Sequence, residues 1–255
     1  MAGDAPRAAL VVGGGTGIGY ASARRLGLRG FAVALAGRRA AVLAEACERL
    51  RGDVPGIETA AIPGDGGLEE QARAMVEGTV AAFGRLDVCV NCAGMYEPVH
   101  FLELTTASWQ RTMSTTLDAQ LYVAVAAARQ MAANGGGRIV VVSSISSPLS
   151  EPDAAAYSAA KAAVSSLVRS MAVDLAAHGI VANAVAPGWV ATEMTEAFVS
   201  TKTAEELERI NVLRRVGQPD EVASMIEYVA VDAPTYLTGS VIYVDGGQTA
   251  MALLP

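Results

Sequence analysis

Short apolar runs with little polar alternation recur at residues 8–12, 31–36, 57–62, 86–90, 138–142, 180–186 and 240–244. Such runs predict strands buried from both sides. Between them, 17–29, 39–51, 68–83, 106–133, 154–177 and 219–231 carry helix formers at helical spacing, and each is long enough to be a crossover helix. Strand and helix alternating in this way predict an α/β fold, a seven-stranded parallel sheet with helices on both faces. No linker, low-complexity tract or short-period repeat interrupts the pattern, so residues 1–255 read as one domain. The segment 189–216 departs from it, being long, polar and mixed, and is expected to form a substrate lid.

Composition narrows the partners. Hydrophobic residues make up 52 % and charged residues 18 % of the 255, so folding entropy can be met by apolar burial. The formal net charge of -7 has the wrong sign for tracking a phosphate backbone and argues against nucleic acid. Leu121 to Ala128 is the longest apolar stretch near the middle, far short of the ~20 residues that span a bilayer. Asp4 and Arg7 stand where a secretory signal needs an unbroken apolar core. Cytoplasmic location is the expectation, and three cysteines, an odd number, suit a reducing compartment.

The first predicted strand runs into Gly13-Gly14-Gly15-Thr16-Gly17-Ile18-Gly19, followed by a helix. Strand, glycine turn and helix in this order make a phosphate site, because the bare backbone approaches a pyrophosphate while the helix start offers free N–H groups. Strict G-x-G-x-x-G spacing is absent, so position carries the reading more than composition does. At the end of the second strand, where NAD-binding chains place an acid for the ribose 2′-hydroxyl, this chain reads Ala36-Gly37-Arg38-Arg39. Two guanidiniums suit a 2′-phosphate, so NADP(H) is the preferred cofactor and NAD(H) the alternative.

Chemistry concentrates further along. Only two lysines occur, and Lys161 follows Tyr157 by four residues, on one face of a predicted helix. A phenol acting as general acid or base near neutrality has to be brought down from about 10, and a nearby cation can supply much of that. Upstream lie Ser143, Ser144, Ser146 and Ser147, any of which could hydrogen-bond a carbonyl oxygen.

Together these residues resemble the classical short-chain dehydrogenase/reductase family, in particular its 3-oxoacyl-carrier-protein reductases. The resemblance runs from about Ala8 to Gly247 and includes the G-x-x-x-G-x-G turn, Asp65, Asn91-Cys92-Ala93-Gly94, Ser144, Tyr157-x-x-x-Lys161, Pro187-Gly188 with Thr192, and Val244-Asp245-Gly246-Gly247. It implies a Rossmann-type domain and hydride transfer between a nicotinamide and a carbonyl or secondary alcohol. In that reading Tyr157 is the general acid/base, Lys161 holds the nicotinamide ribose, Ser144 orients the carbonyl and Thr192 holds the carboxamide. The cofactor would lie along Gly13, Gly15, Thr16, Gly17, Ile18, Gly19, Arg38, Arg39, Asp65, Gly66, Asn91, Ala93, Gly94, Pro187, Gly188 and Val190. Met95, Ser146 and Trp189 are candidates for the substrate pocket. The resemblance further implies a homotetramer or dimer, to which the apolar tail Met251–Pro255 would contribute.

Three positions depart from the family pattern: Val12 replaces a threonine, Cys92 an asparagine, and Thr116 the asparagine that takes part in proton relay. A Thr116 hydroxyl bonded to the i−4 carbonyl would bend the helix and free a backbone acceptor. Thr116 and Cys92 motivate a second reading, a cofactor-binding regulatory protein without turnover. A third is an epimerase or dehydratase that returns the hydride to its substrate. Cys89 and Cys92 form a C-x-x-C, but no second pair completes a zinc site, and Cys89 falls mid-strand. His178-Gly179 reads as a helix C-terminus, and no metal site is expected.

Overall fold

The computed structural model describes residues 6–203, 205–206 and 209–251. Seven strands, β1 (Ala8–Val12), β2 (Ala32–Gly37), β3 (Thr59–Pro63), β4 (Val88–Asn91), β5 (Gly137–Val142), β6 (Ile180–Pro187) and β7 (Val241–Val244), pair in parallel in the order β3-β2-β1-β4-β5-β6-β7. Along β1 the side chains alternate between two cores. Ala9 and Val11 join the cluster beneath α1 (Gly17–Leu28) and α2 (Ala40–Asp53), while Leu10 and Val12 join the one beneath α3 (Glu69–Phe83). Both faces being covered explains the absence of polar alternation in the strand sequences.

β1 pairs with β2 on one side and β4 on the other, so the chain reverses its direction of winding between them. Loops after β1 and β4 therefore diverge and leave a crevice at the carboxyl ends of the strands.

The predicted helix over 106–133 is instead two helices, α4 (Thr106–Met113) and α5 (Ala119–Ala133), joined without a break in direction by a π-helical turn at Ser114–Asp118. A π turn inserts one residue into the ladder, which periodicity reading does not register. α6 (Ala155–Leu175) passes through a short 3-10 turn to Gly179, whose φ of 70° ends it where His178-Gly179 predicted. After β6, the segment expected to be a lid contains α7 (Glu193–Val199) and rejoins its own base through the bridge between Val190 and Gly217. α8 (Pro219–Glu227) continues into a second π turn, Tyr228–Asp232. Its acids grip α1: Arg25 pairs with Asp220 and Glu227, and Arg29 with Glu227 and Asp232. Residues 252–255 of the apolar tail, and Asp4, lie outside the described residues. Among those described, no helix is long and apolar enough to cross a membrane.

Candidate active site

A cleft of about 460 Å³ lies over the crevice between the β1 and β4 loops. At one end is the glycine turn. Gly13 N and Gly14 N both donate to Ala36 O, at 2.8 and 3.4 Å, so backbone groups hold the turn without a side chain at Val12. Gly13 has φ +73°, and a Cβ on Gly19 would overlap the Gly13 carbonyl. Thr16, the residue before α1, makes no side-chain cap, which leaves the helix's first N–H groups facing the cleft. Arg38 and Arg39 line the same end. Arg39 pairs with Glu193 of α7 at 3.0 Å, so the two guanidiniums are not equivalent; Arg38 has no ion-pair partner among the described residues. Asp65 accepts Gly67 N at 3.0 Å, fixing the loop after β3.

The other end holds Ser144, Tyr157 and Lys161. Ser144 ends the run after β5, and its Oγ accepts Ser146 N at 3.0 Å. Ser143, the competing candidate, is turned inward and bonds Ser165 Oγ at 2.7 Å, while the backbone of Ser147 donates to Ser144 O. Tyr157 and Lys161 sit one turn apart on α6, with Lys161 Nζ 5.6 Å from the Tyr157 ring centre and 2.7 Å from the Val142 carbonyl it donates to.

The expectation that the lysine lowers the phenol is not met in the free protein. Burial pushes Tyr157 up to about 12, with a hydrogen bond from Ser144 acting the other way. Burial brings Lys161 down to about 8. Each group pays to be charged in a poorly solvated cleft, and at this separation that cost exceeds their mutual help.

Of the residues expected along the cofactor, all except Asn91 line the cleft. Asn91 is buried behind it, its amide donating to Ala119 O at 2.9 Å and its Oδ1 accepting Ala93 N at 3.0 Å. It shapes the turn after β4. Thr116 is also displaced: fully buried, its hydroxyl accepts Met95 N at 3.1 Å and donates to Met95 O at 3.3 Å, rather than bonding the i−4 carbonyl. The helix is opened by the π turn itself, and Thr115 faces the cleft in its place. Met95, Ser146 and Trp189 are outside the cleft wall. Sequence reading missed Thr115, whose exposure depends on the added residue of the π turn, and Gln120, which donates to Asn91 O and Ala93 O from inside the core. Cys92 lines the cleft as a neutral thiol, raised to about 12 by burial. Among the described residues no cluster of His, Cys, Asp or Glu converges as a metal site.

Residues 13–249 match the family model described as enoyl-(acyl carrier protein) reductase. The chain belongs to the short-chain dehydrogenase/reductase family. Relatives include a cis-4-hydroxycyclohexanecarboxylate dehydrogenase of Sinomonas cyclohexanicum, 38 % identical over 97 % of this chain and 98 % of that protein. A 3-oxoacyl-[acyl-carrier-protein] reductase of Synechocystis is 34 % identical over 94 % of this chain and 96 % of that one. Among solved structures, a gluconate 5-dehydrogenase from Burkholderia cenocepacia in complex with NADP and tartrate superposes with a TM-score of 0.90, at 33 % identity over 96 % of each chain. As a short-chain dehydrogenase/reductase the protein is an oxidoreductase whose family works with a nicotinamide dinucleotide. Its glycine turn, its uncapped helix start and the Arg38 guanidinium beside them fit such a ligand.

Proposed function

We propose that the protein is an NADP(H)-preferring carbonyl reductase or secondary-alcohol dehydrogenase with Tyr157 as its general acid/base. The observation that carries this reading is the convergence of Ser144, Tyr157 and Lys161 at the end of the cleft opposite the glycine turn and Arg38. The nicotinamide, when bound, supplies the hydride that reduces a carbonyl carbon and takes it back in alcohol oxidation.

The chain's own residues do the rest. Ser144 Oγ holds the carbonyl oxygen, and the Tyr157 hydroxyl gives that oxygen a proton as the C=O bond becomes C–OH; oxidation reverses both movements. A phenol raised by burial is held protonated, the form that reduction requires. Lys161, anchored on the Val142 carbonyl, lies where it can hold the ribose and restore a proton to the tyrosine. Arg38 takes the 2′-phosphate, a charge-assisted contact that NAD(H) lacks.

The test is a panel of ketones, secondary alcohols, sugars and acyl thioesters assayed with both nicotinamides at 340 nm, on the parent and on Tyr157→Phe. Turnover with NADPH is expected, with kcat reduced at least a hundredfold in the variant and cofactor affinity within threefold of the parent, since general acid/base groups contribute roughly 10²–10⁴-fold. A variant within tenfold of the parent would sink the assignment. NADPH binding without turnover on any member would favour the regulatory reading.

A further inference from the structure

Beyond the cofactor cleft, three loops are stitched together around Tyr157. Tyr96, in the loop after β4, meets the Tyr157 ring edge to face, with centroids 5.3 Å apart and planes at 79°. Val99 N donates to Asp153 O at 2.9 Å, tying that loop to the one between β5 and α6. Asp153 holds φ 62° to present this carbonyl. The indole N–H of Trp189, just after β6, then donates to Glu151 Oε1 at 3.1 Å across to the β5–α6 loop. Glu151 is thus fixed between the Tyr157 side and the base of the lid.

Among the described residues no cation pairs with this carboxylate. Residues 95–104 and 145–157 contain Glu97, Glu103, Glu151 and Asp153 and no lysine or arginine. Arg111, brought close by α4, is engaged by Glu97 at 2.8 Å. The charge of Glu151 reaches both tyrosines, opposing ionisation of each, and burial raises its own carboxyl. The indole N–H occupies one of its oxygens, and a carboxylate with one donor bound retains accepting capacity.

On the reading of the site given above, we infer that Glu151 determines substrate choice: it selects a carbonyl or alcohol substrate whose far end carries a hydroxyl or ammonium donor, and excludes one ending in a carboxylate. In this inference a substrate carbonyl held between Ser144 and Tyr157 extends beyond the cofactor cleft, past the Tyr96 ring that meets Tyr157 and towards the Glu151–Trp189 pair. The aromatic rings suit a carbocyclic or other apolar body. An anionic end group would meet an uncompensated carboxylate of the same sign in a partly desolvated setting.

The experiment measures binding apart from chemistry. The NADPH complexes of the parent and of Glu151→Gln are titrated calorimetrically at pH 7.5 with cyclohexylmethylammonium and with cyclohexanecarboxylate, neither of which can be reduced or oxidised at a carbinol. Glutamine keeps an oxygen for the Trp189 indole and removes the charge, so a purely structural role would leave the preference intact. The parent is expected to bind the ammonium compound at least tenfold more tightly, and the variant to bring the ratio within threefold. Equal binding of the two by the parent, binding of neither, or an unchanged ratio in Glu151→Gln overturns the inference. Failure of the underlying enzymatic reading shows separately, as absence of turnover across the carbonyl panel while the charge preference persists.

Discussion

Arg38 and Arg39 are neighbours of one residue type with different prospects, because only Arg39 is held by Glu193. Arg38→Asp is expected to weaken NADP(H) more than thirtyfold relative to NAD(H), losing a charge-assisted pair and adding repulsion. Arg39→Ala should change that ratio less than fivefold. Equal effects of the two, in parallel titrations, would mean that the ion pair with Glu193 gives way and both arginines read the phosphate. Lys161 offers a second test, in stability. Its folded value of about 8 lies below that of an unfolded lysine, about 10.4, so the unfolded chain binds more protons between these limits and stability rises with pH across that window. Below the window the full cost of burying the cation is present. Lys161→Met should therefore gain melting temperature relative to the parent at pH 7, less the lost bond to Val142 O, and the gain should disappear by pH 10.5. A gap that does not narrow with pH would show that the buried amine is not the source.

Among the elements, the π turn at Ser114–Asp118 has the largest consequence for the site. By adding a residue to the ladder it turns Thr115 to the cleft and sends Thr116 inward to both backbone groups of Met95. The side chain at 116 thereby positions the loop that carries Tyr96. Thr116→Val removes both bonds with little change in volume and is expected to lower kcat/KM about tenfold with NADPH affinity unchanged. Thr116→Asn, which can bond the same backbone groups, should stay within about tenfold of the parent. Loss of NADPH binding in Thr116→Val would mean that the turn supports the cofactor end instead. The pairing of Arg25 and Arg29 with three acids of α8 and its π extension serves a different purpose, locking the second helical layer where helix ends alone would be exposed.

Over the whole molecule, large apolar side chains remain uncovered, Val173 on α6 at 80 %, Leu102 at 87 % and Tyr236 at 100 % exposure. β3 and β7 are open sheet edges. Self-association through such surfaces is the expected outcome, and light scattering at micromolar protein should give at least twice the chain mass. A monomer would count against the assembly that the sequence resemblance implies.

The strand count, the parallel sense of the sheet and the glycine turn were legible in the sequence, because buried parallel strands need continuous apolar runs and a glycine run between strand and helix marks a tight turn. Tyr157 and Lys161 were legible for a similar reason, since i and i+4 share a helix face wherever the helix packs. What tertiary structure alone decided depends on neighbours far away in the chain. Ser143 turns inward because Ser165 is there to receive it. Arg39 differs from Arg38 because α7 places Glu193 beside it, 154 residues on. The direction of the Tyr157 shift was misjudged from spacing, which reveals a nearby cation but not the desolvation that both groups share. Glu151 became significant only when folding brought the Trp189 indole onto it and Tyr96 against Tyr157, contacts set by loop conformation, for which no periodic pattern in the sequence is required.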